Sequence, residues 1–185
     1  MRGDQNREEI IAYWLLPAEP AREYFSSIIR DLAKRYHAPS FEPHLTIFIA
    51  PSSQLTAATA LRETIADVQP IRLSVRGVGY SDAFTKTVFV EFDSIPALRE
   101  IAEAFRRKMP SAGDDELNPH LSLLYKAMSH VERERIAKSL SSLPSEVEFN
   151  CAKAILCRVP IETRADVESW RTVAVEPLRP GGGNR

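Results

Sequence analysis

The pattern of apolar and polar positions divides the chain into strands and helices that alternate. An apolar run over residues 10–16 (IIAYWLL) ends at Pro17 and predicts a buried strand. Apolar side chains then recur every third or fourth position over residues 20–36, the spacing of an amphipathic helix. Three further segments of the same two kinds predict a strand at 44–50, a helix at 55–68 and a strand at 71–79. The first half is therefore predicted to be β-α-β-α-β.

The same order of elements begins again after residue 86. The pattern predicts a strand at 87–93, a helix at 95–109, a strand at 120–125, a helix at 130–142, a strand at 147–157 and a last strand at about 169–176. Ser94 is the predicted N-cap of the first of these helices. Ser129 with Glu132 predicts a capping box at the start of the second.

One offset relates the two halves. The segment FEPHLTIFI (41–49) matches LNPHLSLLY (117–125), so His44 and His120 are equivalent and lie 76 residues apart (120 − 44). The same offset carries the flanking helices and strands onto one another, which a chance match of two short motifs would not do. We infer an internal duplication. It predicts two lobes, about 10–80 and 87–176, related by an approximate two-fold axis, with a boundary in the loop at 80–87.

Each repeat contains Pro-His-Leu-Thr/Ser at the start of a predicted strand. Side chains at i and i+2 of a strand point to the same face. His44 therefore shares a face with Thr46, and His120 shares one with Ser122. If the two-fold axis brings these faces together, the cleft between the lobes holds two imidazoles and two hydroxyls.

Two imidazoles and two hydroxyls suit in-line displacement at phosphorus. A neutral histidine can take a proton from an attacking water, and a protonated one can give a proton to the departing oxygen. The hydroxyls of Thr46 and Ser122 can donate hydrogen bonds to the non-bridging phosphate oxygens, where charge accumulates in the transition state. These groups handle both protons and charge, so the sequence predicts a reaction that needs neither a metal ion nor a cofactor.

Other functions for these residues are less well supported by the pattern. A single histidine on a strand is more often packed or solvated than catalytic, but two copies at equivalent positions favour function. A zinc site at His44 and His120 needs a third ligand, and none recurs at the repeated position. His37, at a predicted helix end, and His130, in a predicted first turn, are expected to be solvated.

Composition narrows the class of partner. The 185 residues carry 24 Lys and Arg against 25 Asp and Glu, and 44% of them are hydrophobic. The formal net charge of −1 argues against binding long nucleic acid through many phosphates and leaves room for a small anionic ligand. No apolar run is long enough to cross a membrane, and no obligate protein partner is evident.

The ends and the cysteines complete the sequence-level picture. The polar segment 1–9 and the glycine-rich tail 177–185 are predicted to be disordered. Cys151 and Cys157 lie on one predicted strand, about 20 Å apart, which is too far for a disulfide between them. Two free thiols favour a cytoplasmic location.

The two motifs resemble the signature of the 2H phosphoesterase superfamily, a pair of His-x-Thr/Ser motifs in two pseudo-symmetric lobes. PHLTIF and PHLSLLY are that pair, and the opening AYWLLP resembles the cyclic nucleotide phosphodiesterase branch in particular. The resemblance implies a bilobal α+β fold with antiparallel-rich sheets around a central cleft. It also implies metal-independent hydrolysis of a cyclic phosphate on ribose, such as a nucleoside 2′,3′-cyclic phosphate or ADP-ribose 1″,2″-cyclic phosphate. The catalytic pair then falls on His44 and His120, and the phosphate-binding hydroxyls on Thr46 and Ser122.

Recognition of a base is less well defined by the sequence. Tyr125 and Trp14 are the aromatic candidates for stacking on a nucleobase, with packing as the alternative for both. Lys86, between the lobes, could approach a phosphate or remain solvated. Two other functions stay open: a 2′-5′ ligase or other enzyme that processes RNA 3′ ends, and a nucleotide- or RNA-binding module without turnover. A binding module would not need two proton-transfer groups.

Overall fold

The computed structural model describes residues 7–52, 57–110 and 117–179, which contain seven strands and five α-helices. The elements are β1 (Glu8–Pro17), α1 (Ala21–Tyr36), β2 (Leu45–Pro51), α2 (Ala57–Ile65), β3 (Ile71–Tyr80), β4 (Val88–Phe92), α3 (Pro96–Lys108), β5 (His120–Leu124), α4 (His130–Ser139), β6 (Glu146–Val159), α5 (Arg164–Glu168) and β7 (Arg171–Pro177). All eleven elements predicted from periodicity are present, and α5 is an addition. The α+β class with antiparallel strands is confirmed.

The helices form where apolar side chains line one face, and their ends follow local chemistry. The face of α3 that is buried carries Leu98, Ile101 and Phe105. The prediction that Ser94 caps this helix is wrong: Ile95 occupies the N-cap and Pro96 begins the helix. Proline has a φ that suits the first position of a helix. The backbone N–H of that position has no partner within the helix, so its absence in proline removes a group that a cap would otherwise satisfy. The Oγ of Ser94 instead accepts a hydrogen bond from Arg99.

The cap predicted for α4 is present in part. Ser129 accepts a hydrogen bond at its Oγ from the backbone N–H of Glu132. The reciprocal half of the capping box differs, because the carboxylate of Glu132 accepts from the Ser129 hydroxyl.

The strand pairing shows the two-fold relation between the repeats. In the first repeat β1 pairs with β2, and in the second β4 pairs with β5. The third strands are exchanged: β1 also pairs with β6, and β4 with β3. One strand set is therefore β2, β1 and β6, and the other is β5, β4 and β3. The expected lobes 10–80 and 87–176 coincide with the two sequence repeats but not with these strand sets, because each set takes one strand from the other repeat.

The pair Leu45–Leu121 joins the two strand sets at their centre. Leu45 of β2 and Leu121 of β5 face each other, and they are also equivalent under the offset of 76 (121 − 45). Continuing this antiparallel register places His44 opposite Ser122 and Thr46 opposite His120. Both leucines are fully buried, so the alternation of the strands turns the four motif side chains to the other face.

Both faces of β1 are buried, which accounts for its continuous apolar run. One face contributes Tyr13 and Leu15 to the main core beneath the helices. The other face packs Ala12, Trp14 and Leu16 against Ile155 and Cys157 of β6. This second cluster lies on the same side of the sheet as His44, because Trp14 stacks on that ring.

The described ends are more ordered than the sequence predicts. Glu8 and Glu9 begin β1, Pro177 ends β7, and Leu178 is buried. The remaining parts of the two predicted disordered segments, 1–6 and 180–185, lie outside the described residues. Cys151 and Cys157 are both free thiols, as expected for one strand. None of the described helices is both long and apolar enough to cross a lipid bilayer.

Candidate active site

The two histidines are held by the same backbone hydrogen bond. Nδ1 of His44 lies 2.6 Å from the carbonyl oxygen of Glu42, and Nδ1 of His120 lies 2.7 Å from that of Asn118. A carbonyl oxygen only accepts, so Nδ1 is the protonated nitrogen in each neutral ring. In each ring Nε2 is therefore the nitrogen that can take up a proton.

The four predicted motif residues line one cavity of about 560 Å³. Thr46 accompanies His44 on its wall, and Ser122 accompanies His120. The Oγ of Ser122 donates a hydrogen bond of 2.8 Å to the carbonyl of Thr85, in the loop between β3 and β4. A ligand oxygen that binds Ser122 would take the place of that carbonyl as the acceptor.

Equivalent strand positions place a different aromatic ring against each histidine. Trp14 pairs with Thr46 and stacks on His44, with ring centroids 3.6 Å apart and an interplanar angle of 12°. Phe89 pairs with Ser122 and meets His120 edge-on at 5.5 Å and 71°. The stacked indole covers one face of His44, so the two repeats give their histidines different exposure.

This difference in environment affects the protonation of the two rings. Burial lowers the pKa of His44 from 6.5 to about 4, and the positive charges of His120 and Lys153 act in the same direction. The carbonyl and the carboxylate of Glu42 oppose this shift. Burial also lowers the pKa of His120, with the charge of Lys86 adding to it and that of Glu91 opposing it. His44 is the more deeply buried ring, and it is neutral at neutral pH.

The structure places both predicted base-stacking residues on the cavity wall but covers part of each ring. Tyr125 is 4% exposed and stacks on Phe41, with the ring centroids 4.0 Å apart. It follows the end of β5, so strand alternation does not fix its direction. Trp14 is 3% exposed and stacks on His44. The ammonium of Lys86 lies 4.4 Å above the ring of Phe89, and Lys86 is outside the cavity lining.

The cavity is also lined by residues from connections between the strands, to which the sequence analysis gave no role. Thr85 follows β3 and Ile161 follows β6, and they are equivalent under the same offset (161 − 85 = 76). Trp170 lies just beyond α5 and meets the rings of Trp14 and Tyr125 edge-on. The sequence does contain a signal for α5, because Thr163 and Asp166 form its capping box.

Among the described residues, no three His, Cys, Asp or Glu side chains lie together as the ligands of a metal ion would. The reaction without metal or cofactor stays a prediction.

The free energy of unfolding is expected to fall at acid pH because His44 is neutral in the fold. Its pKa is about 4 in the folded protein against 6.5 ordinarily, so between these values only the unfolded chain binds the proton. This contribution is complete above pH 6.5 and is lost as the pH falls towards 4. A difference of about 2.5 pH units (6.5 − 4) corresponds to about 3 kcal/mol.

Denaturant unfolding at pH 8 and pH 4.5 measures this loss, with His44→Gln as the variant that cannot titrate. The other ionisable groups are common to both proteins. The parent should therefore lose about 2 to 3 kcal/mol more than His44→Gln between the two pH values. An equal loss in both proteins would show that His44 is not held neutral by the fold.

The duplicated fold and the paired motifs on one cavity define the chain as a phosphoesterase of the two-histidine (2H) type. The sequence profile of the 2′-5′ RNA ligase superfamily matches residues 16–159, and the chain belongs to that superfamily. The resemblance found in the two motifs is thus confirmed, and the chain is an enzyme of the phosphoesterase class.

Individual relatives match this chain over nearly its whole length. The cyclic phosphodiesterase of Arabidopsis thaliana is 27% identical over 183 residues, covering 96% of this chain and 99% of the relative. TT0787 of Thermus thermophilus has a TM-score of 0.59 at 16% identity, over 93% of this chain and 99% of its own. E. coli LigT, in a crystal structure with 3′-AMP, has a TM-score of 0.58 at 13% identity, over 94% of this chain and 99% of its own. The two solved structures establish the fold.

Proposed function

We propose that the protein hydrolyses a cyclic phosphodiester on ribose without a metal ion. The substrate class is a nucleoside 2′,3′-cyclic phosphate or ADP-ribose 1″,2″-cyclic phosphate. The observation that carries the proposal is the pair of equivalent motifs on one cavity, each with Nδ1 bonded to a carbonyl and Nε2 left to exchange a proton. The name of the Arabidopsis relative and the 3′-AMP bound by LigT support the substrate class.

The two histidines divide the proton transfers between them. His44, neutral at neutral pH, acts as the base that takes a proton from water as the water oxygen attacks phosphorus. His120 acts as the acid that protonates the ribose oxygen as its bond to phosphorus breaks. Thr46 and Ser122 donate to the non-bridging oxygens, Ser122 after releasing the carbonyl of Thr85. The product is a ribose phosphate monoester.

The volume of the cavity and the net charge of the chain both support a small substrate. A cavity of about 560 Å³ lies within the range of about 300–1,000 Å³ that is usual for sites of small ligands. A net charge of −1 offers no general attraction to a long polyanion. The two free thiols support a cytoplasmic location, which we include in the proposal.

Trp170 is the proposed contact for the part of the substrate that does not react. Trp14 and Tyr125 are buried, whereas Trp170 is partly exposed and lines the cavity beside His44. A base stacked on this indole would contribute about 1–3 kcal/mol. We expect Trp170→Ala to raise KM for a nucleoside 2′,3′-cyclic phosphate by about tenfold with little change in kcat.

Steady-state kinetics on two substrates check this contact. A methyl riboside 2,3-cyclic phosphate has the same reacting group but no base, so its KM should be unchanged by Trp170→Ala. Trp170→Phe keeps an aromatic face and should restore most of the loss. Equal increases in KM for both substrates would show that Trp170 supports the site rather than contacting the base.

A panel of substrates tests the proposed activity itself. The panel contains the four 2′,3′-cyclic mononucleotides, ADP-ribose 1″,2″-cyclic phosphate, and an oligonucleotide with a 2′,3′-cyclic end. Identification of the product by phosphorus NMR shows which P–O bond breaks. The expected result is multiple turnover on at least one small cyclic phosphate. Turnover confined to the oligonucleotide would favour RNA end processing, and binding without turnover would favour a binding module.

A further inference from the structure

An ion pair lies directly behind the first histidine. The carboxylate of Glu42, two residues before His44, contacts the ammonium of Lys153 and the guanidinium of Arg22. The carbonyl of the same Glu42 accepts the hydrogen bond from Nδ1 of His44. One residue therefore connects the orientation of the imidazole to two cations on other elements, β6 and α1.

We propose that Glu42 and Lys153 are positioning residues for His44, which hold its ring in place with the proton on Nδ1. The side-chain ion pair fixes the backbone of Glu42, and the backbone carbonyl fixes the ring. The effect on turnover rests on the proposed function, whereas the effect on the ring can be measured without any substrate.

The burial of the pair supports a specific role. The side chain of Lys153 is 14% exposed and that of Glu42 is 26% exposed, well below the exposure of surface pairs such as Arg30–Glu23. A poorly solvated ammonium needs a partner, because removing one member of a buried pair leaves an uncompensated charge. Burial raises the pKa of Glu42, but the hydrogen bonds and charges of Lys153 and Arg22 outweigh this and lower it. Glu42 is therefore ionised at neutral pH.

The position of Lys153 in the sheet supports the same role. Lys153 lies opposite Trp14 in the β1–β6 pairing, so the two side chains share a face of the sheet. Trp14 stacks on His44 while Lys153 reaches Glu42. The neighbouring side chains on this face are apolar (Ala12, Leu16, Ile155). A lysine among them is explained by its contact with Glu42.

The second motif has no such ion pair at the equivalent place. Asn118 stands where the first motif has Glu42, and its uncharged side chain cannot form the same pair. The titratable groups whose charges act on His44 are Glu42, Lys153 and His120, while Arg22 acts through Glu42. The aromatic rings of Trp14, Phe41 and Trp170 pack around it. The anchored carboxylate thus distinguishes the two otherwise equivalent histidines.

Glu42→Gln and Lys153→Met test the proposal because they should displace the pKa of His44 in opposite directions. Removing the carboxylate leaves Lys153 uncompensated and lowers the pKa, whereas removing the ammonium raises it, each by about half to one pH unit. NMR of the His44 ring at pH 4.5 should show more protonation than the parent in Lys153→Met and less in Glu42→Gln. With a cyclic phosphate substrate, kcat should fall about tenfold in both, with KM little changed.

Two further variants make the result specific. Lys153→Arg keeps the charge and should restore both the ring pKa and kcat. Lys108→Met removes the ammonium from another Lys–Glu pair, with Glu63 at 2.7 Å, and should change neither. The proposal would be overturned if the pKa of His44 moved in the same direction in Glu42→Gln and Lys153→Met. It would also be overturned if the pKa moved in neither variant. If no substrate is turned over, the proposed function fails while the NMR result still stands on its own.

Discussion

Replacing His44 or His120 by alanine is expected to lower kcat by about 10² to 10⁴, the range that a positioned proton-transfer group contributes. Each ring has Nδ1 bonded to a carbonyl, so only Nε2 can exchange a proton with substrate. Loss of either ring removes one of the two proton transfers that the reaction needs. KM should change far less than kcat, because the hydroxyls of Thr46 and Ser122 remain to bind the phosphate.

The other two histidines of the chain provide matched controls. His130 begins α4, and His37 is the C-cap residue after α1, with a φ of 51°. His130→Ala and His37→Asn, the latter chosen because asparagine tolerates the left-handed conformation, should keep kcat within about twofold of the parent. The double variant His44→Ala/His120→Ala should be little worse than either single variant, since the pair acts as a unit. Near-parental kcat in His44→Ala or His120→Ala would rule out that ring as a proton carrier.

The second large effect is expected from the two hydroxyls. Thr46→Val and Ser122→Ala each remove a hydrogen-bond donor while keeping most of the side-chain volume. The loss of a donor that stabilises charge in the transition state lowers kcat by about 10² to 10³. Thr46→Ser and Ser122→Thr keep the hydroxyl and should retain most of the activity. Steady-state kinetics on a cyclic phosphate measure all four variants.

Ser122 needs one more control because it also holds the loop between β3 and β4 through Thr85. Thr87 anchors the same loop from its other end, where its hydroxyl donates to the carbonyl of Lys126 and accepts from that residue's N–H. Thr87→Val loosens the loop without removing a donor from the cavity. Its kcat should fall much less than that of Ser122→Ala. Equal losses would mean that Ser122 acts through the loop and not on the phosphate.

The element order and the four motif residues could be predicted because both depend on local pattern. Strand alternation placed His44 with Thr46 and His120 with Ser122, and the 76-residue offset made the two pairs equivalent. Periodicity gives the buried face of a strand but not its neighbour. The exchange of β3 and β6 between the two strand sets therefore could not be predicted from it.

The features that distinguish the two halves of the site needed the tertiary structure. Trp14 lies thirty residues before His44 in sequence, and its stacking on that ring depends on the β1–β2 register. Trp170 lies at the start of a predicted strand, where the pattern gives no sign of a role, and its place on the cavity wall depends on the connection between α5 and β7. The different exposure of His44 and His120 follows from these contacts, so equivalent motifs in the sequence gave no basis for assigning acid and base.

Hydrolysis of a nucleoside 2′,3′-cyclic phosphate in excess EDTA is the most direct test of two-histidine catalysis without a metal. The rate should equal that in untreated buffer, and adding Mg²⁺, Mn²⁺ or Zn²⁺ back at a slight excess over the chelator should not raise it. Loss of turnover in EDTA, with recovery on adding one of these ions, would contradict the account.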